Sequence, residues 1–445
     1  MDLQNLVQSC EADYADVRIT HISFVIVEIN DGKVENVVEA NDWEAGVRVL
    51  HKGSWGFAST NNERNLSDAL ERALRLAHAG KGNARLSDEE VVKEKFIIKP
   101  KRPMYEMCVE EKVKLALEAD KEMQESRIKT RTVLYRDAFV EKTFLSSEGA
   151  EIFQVLPSVY IRFYTIARSA GKMAHGFSRL GGHGGHELIA NFLEKAKETR
   201  EKAISLLDAS VPKAGRRTVV IDGKMAGVLA HEAVGHASEA DSVVGKTSAF
   251  VGMLGKKIAD ESVTIVDEPI LVNAFGGFAF DDEGVRAWKT YIVKGGILNS
   301  YLHSRETAAI MGTQSTGNMR GHAAEMPIVR MSNTFFEAGD MEFDELIDIK
   351  EGVYLCGVQG GAVTPKTGEF IFTSEDGYEI KNGELRGRLR DAMISGNILE
   401  TLLNVDGLGK ERTFSLGVCG KHGKHINVGD GGPHIRLTDV FVAGK

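Results

Sequence analysis

DYADVRITHISFVIVEINDGKVENVVEANDWEAGVRV, residues 13–49, alternates β-branched and polar residues on both sides of the turn-forming Asn30-Asp31-Gly32. Period-two alternation is the pattern of a half-buried strand, so the segment reads as a hairpin and further strands, and the chain opens with a sheet. After GSWGFAST (53–60), the stretch from Asn65 to Ala79 puts Leu70, Ala73, Leu74 and Ala77 on one helical face, with Asn65 or Ser67 as a cap and Gly80 as a stop. That helix is expected to cover the sheet. A second helix near 109–125 carries Val109, Val113 and Leu117 four apart, and 131–147 and 150–171 read as more strands. The Gly/His-rich GGHGGHE (181–187) leads into a third helix of roughly 187–207, which ends before the Pro- and Gly-bearing ASVPKAGRR. The composition shift there places a boundary near 208–216. The expected class is therefore α+β in two domains: 1–211, a sheet with covering helices, and 212–445, a β-rich half punctuated by glycine turns.

The second half opens with the strand TVVID and a helix from about Lys224 that contains MAGVLAHEAVGHASEAD (225–241). His231, Glu232 and His236 form His-Glu-x-x-x-His, one residue wider than the HExxH of common zinc peptidases, on an apolar helix where charge is costly to bury. Two neutral imidazoles can hold a cation, and a carboxylate beside them can take a proton from the attacking water without occupying a coordination position. Glu232 stands where that base is needed. The bland reading, two histidines capping a buried helix, stays open on the short motif alone.

A catalytic zinc takes three protein ligands, so a third must come from elsewhere in the chain. Cys419, between Gly417 and Gly420 in SLGVCGKHGKH, is one candidate; Cys356, in the apolar VYLCGVQGG, is the other and reads equally as a small core residue. Cys10 and Cys108 read as core or surface thiols. His183 and His186 could bind metal, although histidines in glycine-rich loops are commonly solvated. His422 and His425 could supply hydrogen bonds around Cys419, or form a solvated basic turn. FDDEGVRAWKT (280–290) and STGNMRGH (315–322), with Asn318 and Arg320, could position a peptide or a developing oxyanion; turn chemistry and salt bridges explain them as well.

The spacing also carries a geometric expectation. Residues five apart in a regular α-helix lie roughly 140° apart around the axis and about 7.5 Å along it, so two such imidazoles point away from each other. A shared zinc requires them to converge. Either a π-type wide turn or an early helix end is expected within 231–236, with Gly235 easing the distortion.

Composition narrows the function classes. A net charge of −9 on 445 residues, spread along the chain, argues against a direct nucleic-acid surface. The first residues lack a basic start followed by an apolar run, and no stretch approaches the roughly 18 apolar residues of a membrane span, so a cytoplasmic protein is expected. Four cysteines without a CxxC pair are free thiols or metal ligands rather than a disulfide framework.

Taken in order, several long blocks resemble the TldD/PmbA family: AGVRVLHKGSWGFAST (45–60), VLAHEAVGH (228–236), DDEGVRAWKT (281–290), STGNMR (315–320), MSNTFFEAGD (331–340), the segment 360–385, and GVCGKHGKHINVGDGGPHIRLTDVFVAG (417–444). The resemblance covers nearly the whole chain. TldD-type subunits of that family keep two histidines, a glutamate and a C-terminal cysteine, whereas PmbA (TldE)-type subunits lack the metal motif; His231, Glu232, His236 and Cys419 fall on the TldD-type positions. The resemblance implies a zinc-dependent peptidase acting on unfolded or unstructured polypeptides, with Zn²⁺ on His231, His236 and Cys419. It further implies a subunit that pairs, often as a heterodimer with a TldE/PmbA-type partner, around an enclosed active site. The family's older label, modulator of DNA gyrase, reflects indirect effects and does not imply DNA binding.

Overall fold

The computed structural model describes residues 3–444, a strand-rich mixture of α and β structure. A short helix α1 (Leu3–Gln8) precedes the predicted hairpin, which is β1 (Tyr14–Asn30) paired antiparallel with β2 (Lys33–His51). Asp31 and Gly32 both have positive φ, 48° and 79°, the left-handed pair that a two-residue hairpin turn requires. β3 (Ser54–Thr60), β4 (Lys93–Ile97), β5 (Ile128–Ser146), β6 (Glu151–Ser169) and β7 (Lys172–His183) complete a seven-stranded sheet. Its order is β3-β2-β1-β5-β6-β4, with β7 on β6 and β4 running parallel to β6. α2 (Leu66–Ala79) buries Leu66, Ala69, Leu70, Ala73 and Ala77 against Val17, Val47 and Val49, as the 3.6-residue pattern predicts. α3 (Val109–Glu122) lays Ala116 and Ala119 on Val27, Ile29, Val133 and Tyr135. The third helix begins later than its sequence suggests: His186–Ile189 forms a tight 3₁₀ turn, and α4 runs Phe192–Leu206.

After residue 214 the chain builds two further large sheets and a two-stranded ladder. β8 (Gly215–Ile221) belongs to the first. The later strands are β9 (Ile265–Asp267), β10 (Thr290–Lys294), β11 (Ile297–Leu298), β12 (Met319–Arg320), β13 (Ile328–Val329), β14 (Asn333–Phe336), β15 (Glu351–Thr364), β16 (Glu369–Lys381), β17 (Glu384–Leu389), β18 (Ala392–Asn397), β19 (Val405–Leu408), β20 (Thr413–Lys421), β21 (Lys424–Gly432) and β22 (Ile435–Gly444). β12 and β13 pair with each other as the ladder. One sheet has the order β15-β8-β22-β18-β16-β17, with β19 on β22; the other runs β11-β10-β9-β14-β21-β20 and leaves β20 outermost. Between them lies the helix that follows β8, α5 (Gly223–Val228), in a core that includes Met225, Leu229, Ala233, Phe336, Val428 and Leu437. Asp222 caps α5 by accepting from Met225 N at 2.8 Å, and accepts as well from Gly357 N at 2.9 Å.

The N-terminal sheet docks on the rest through buried polar groups. Arg48 grips Asp16 through two nitrogens and reaches Glu283 at 3.2 Å, all three buried. Gln154 donates to Phe280 O and accepts from Ala279 N and Phe280 N, while Arg18 donates to the carbonyls of His322, Ala323 and Glu325. DDEGVRAWKT is thus largely a docking segment. No helix among the described residues is long and apolar enough to cross a membrane.

Candidate metal centre

The helix begun by α5 does not continue as an α-helix. Leu229–Gly235 is a π turn, and the His236 N–H donates to the His231 carbonyl, five residues back. This is the wide turn expected from the His-x₄-His spacing, and it returns both imidazoles to one side of the axis. The role expected of Gly235 needs correcting. Its φ and ψ are both −58°, ordinary helical values that any residue adopts. What a side chain there would meet is Met331: a Cβ would sit 1.9 Å from its sulfur, so the methionine would have to move.

On that surface the β20–β21 hairpin lays Cys419. Cys419 Sγ is 3.1 Å from His231 Nε2 and 3.2 Å from His236 Nε2, the rings stand 85° apart, and the three donor atoms all lie within 4.8 Å of one another. Donors on a tetrahedral zinc are separated by roughly 3.5 Å, given bonds of about 2.0–2.3 Å, so the two sulfur–nitrogen distances lie a few tenths of an ångström inside the spacing one cation would set. Two imidazoles and a thiolate are also a donor set that zinc favours over magnesium or calcium. Cys419 is 7% exposed and His231 is buried. Glu232 remains accessible, with its side chain 40% exposed and Oε2 3.8 Å from His236 Nε2. It lies beside the donors without being one of them.

The two imidazoles have different surroundings. Burial, with His236 and Arg330 as cationic neighbours, pushes His231 well below its ordinary value, which keeps it neutral as a ligand must be. His231 Nδ1 is buried without a hydrogen-bond partner. His236 is also penalised by burial, but hydrogen bonds with Cys419 and Glu239 and their charges outweigh that and raise it to about 10. A cation at the same donors would displace the proton held there. Glu239, 1% exposed, is 3.1 Å from His236 Nδ1; burial works against its charge, yet His236, Lys421 and Arg330 hold its carboxyl below the usual range.

The other candidates fall elsewhere. Cys356 lies on β15, where burial and the nearby Asp222 push its thiol up to about 12. His183 and His186 are not solvated: both are buried, His183 Nδ1 against the Pro157 carbonyl at 3.0 Å and His186 Nε2 against the Tyr135 hydroxyl at 2.7 Å. His422 is exposed at the β20–β21 turn with φ 51°, and His425 is exposed with its carbonyl facing His322, so neither supports Cys419. Asn318 is structural, donating to Asp267 and to the Arg330 carbonyl. Arg320 donates to the Met331 and Asn427 carbonyls and lines a cavity of about 420 Å³ with Tyr160, Phe278 and Val418.

Sequence reasoning missed Glu239, Lys421, Arg330 and Asp430. Two of them carry a positional signal: Glu239 follows His236 by three, and Lys421 follows Cys419 by two on the same strand face.

The sequence matches three family descriptions in succession: PmbA/TldA metallopeptidase domain 1 over 15–77, the central domain over 103–207 and the C-terminal domain over 214–444. A metalloprotease of Methanothermobacter thermautotrophicus is 38% identical over 447 residues, covering 100% of this chain and 97% of its own. A protein of Saccharolobus solfataricus named zinc metalloprotease TldD homolog is 29% identical, covering 97% of each. Among solved structures, a modulator of DNA gyrase from Thermotoga maritima superposes with a TM-score of 0.82 at 23% identity, covering 97% of this chain and 96% of its own. TldE from Thermococcus kodakarensis superposes at 0.80 with 21% identity, covering 99% and 100%. At those identities the structures speak for the fold.

Proposed function

The chain belongs to the PmbA/TldD metallopeptidase family, and on that premise we propose that it is a zinc peptidase of the TldD type that hydrolyses unfolded polypeptides in the cytoplasm. The observation that carries the reading is the convergence of His231 Nε2, His236 Nε2 and Cys419 Sγ within 4.8 Å beside an accessible carboxylate. In it, His231, His236 and Cys419 hold the ion, and Glu232 is the general base. A bound zinc would supply Lewis-acid polarisation of the scissile carbonyl and acidify the attacking water. Glu232 accepts the water's proton on its carboxylate and passes it to the leaving amine, which is why its place next to the donors but outside them matters. Catalysis then proceeds without an acyl-enzyme.

Preference for unfolded substrates is supported by β20. It carries Cys419 and is the outermost strand of its sheet, so its free edge can hold an extended segment by main-chain hydrogen bonds, which a folded domain does not offer. The division into an N-terminal domain, 1–211, and a C-terminal peptidase domain, 212–445, and a dimer formed with itself or with a TldE/PmbA-type subunit belong to the same reading. Elemental analysis of freshly purified protein, paired with peptide mapping of unfolded and folded substrates, tests it. One zinc per chain, lost in Cys419→Ser, with cutting confined to the unfolded substrate, is expected. Full zinc occupancy in Cys419→Ser, or efficient cutting inside a stably folded domain, overturns it.

A further inference from the structure

The imidazole of His236 is held from both ends, whereas that of His231 is held only from one. Its Nε2 faces Cys419, and its Nδ1 faces Glu239 Oε2 at 3.1 Å, so Nδ1–H donates to the carboxylate and the Nε2 lone pair is left for a metal. Glu239 does not reach this position by helical continuity. Its ψ of 112° breaks the helix after Ser238, and backbone bonds from Leu302 N to Ser238 O and from Ala240 N to Leu302 O pin the break on both sides. Two cations flank the carboxylate: Lys421 Nζ is 3.1 Å from Oε2, and Arg330 Nε is 3.5 Å from Oε1, an ion pair without a hydrogen bond. Lys421 is itself fixed by both oxygens of Asp241 at 2.8 Å.

This arrangement crosses the centre. His236 and Glu239 belong to the helical segment, Arg330 follows β13, and Lys421 lies on β20 two residues beyond Cys419. We propose that Glu239, paired with Lys421 and flanked by Arg330, is the positioning residue that fixes His236 for the metal and ties the helix that carries His236 to the hairpin that carries Cys419. The inference rests on the three-ligand reading given above. It adds that the site is assembled through Glu239 and Lys421 before any ion binds, and that the two histidines contribute unequally, because His231 has no corresponding support at Nδ1. A partner at the far nitrogen of a ligating histidine sets its tautomer and ring angle, and losing it weakens metal binding by about 10–100-fold.

The test compares the full-length parent with Glu239→Gln, Lys421→Met and Lys421→Arg. Zinc affinity is measured by competition with a chromophoric chelator, the ligand field is read from the absorption bands of the cobalt-substituted protein, and folding is followed by circular dichroism. Glu239→Gln and Lys421→Met are expected to release zinc about 10–100-fold more readily and to shift the cobalt bands, while Lys421→Arg restores both. Should Glu239→Gln fail to fold, the two lysine variants decide. Parent-like affinity and unchanged cobalt bands in folded Glu239→Gln, or in Lys421→Met, overturn the proposal. A parent that binds no metal at Cys419 overturns the three-ligand reading and this inference with it, a result visible before any variant is compared.

Discussion

The N-terminal sheet and the segment from Leu229 to Phe336 satisfy the same backbone in opposite ways. In the sheet, β1, β2, β5 and β6 are 17 to 19 residues long, and ladder hydrogen bonds pair their polar groups along that length. In the segment, strands run from two to five residues, and buried side chains take over. Asp267 accepts from Ser332 N, Ser332 Oγ, Thr334 Oγ1 and Asn318 Nδ2; Asp281 accepts from the backbone N–H groups of Glu283, Val285 and Met319. Ladders build straight, extended surfaces. Side-chain acceptors allow abrupt changes of direction, which bring together His236 on a helix and Cys419 on a hairpin 183 residues apart.

The sharpest way to break this contrast is to remove the chemistry and leave both frameworks intact. Glu232→Gln keeps the size of the side chain and touches no ligand, so metal content should stay at the parent level while peptide hydrolysis falls by about 10²–10⁴. Parent-like digestion of an unfolded substrate by this variant would remove Glu232 from the mechanism. Next in size is the joint between the two regions. Arg48→Met strands the carboxylates of Asp16 and Glu283, both buried, and should cost about 3–5 kcal/mol in thermal or denaturant unfolding. An unchanged melting temperature would mean that the docking surface does not depend on this pair.

A smaller effect probes the wide turn. Gly235→Ala drives a methyl group into Met331 and should destabilise by about 1–3 kcal/mol, a cost that shrinks when the same change is made in a Met331→Ala background. If Gly235→Ala cost as much in that background as in the parent, the clash would not be the reason for the glycine. The last expected change is a gain. Asp430, on β21, is buried with one unpartnered oxygen; burial, opposed by Arg179 and reinforced by Glu232, raises its carboxyl from 3.8 to about 6. A raised carboxyl binds its proton more tightly in the folded chain than in the unfolded one, so its contribution is fully present below about pH 4 and is lost as pH rises through about 6. Asp430→Asn should therefore be more stable than the parent at pH 8, with the difference vanishing near pH 4. Calorimetry at the two pH values checks it, and an equal offset at both would show that proton binding is not the cause.

Legibility in the sequence follows the same contrast. The hairpin around Asn30-Asp31-Gly32 and the buried face of α2 were readable because period and turn chemistry are local signals. The π turn was readable from the expectation that His231 and His236 share one ion, because two imidazoles cannot converge from a regular helix at that spacing. Cys419 was not separable from Cys356 by local pattern, since pairing with the helix is made by the packing of β20 and β21 on α5; the family resemblance, not spacing, singled it out. The polar pocketing of His183 and His186 depends on Pro157 and Tyr135, distant strand residues that a glycine-rich loop pattern cannot announce. The charges of 281–283 look like a solvated turn until Arg48 and Lys142 are brought to them by the fold.

The wide turn also has a genetic meaning. A helix turn that holds one residue more than its neighbours is a one-codon insertion, and deleting any codon from 233 to 235 would leave His-Glu-x-x-His, the spacing at which a regular α-helix sets its two rings about 40° apart. The ladder would close, and the histidine pair would survive in another register. Two motifs that differ in the text of a sequence are thus separated by a single mutational event on the same backbone. A search pattern with fixed spacing would divide proteins that the helix itself can connect.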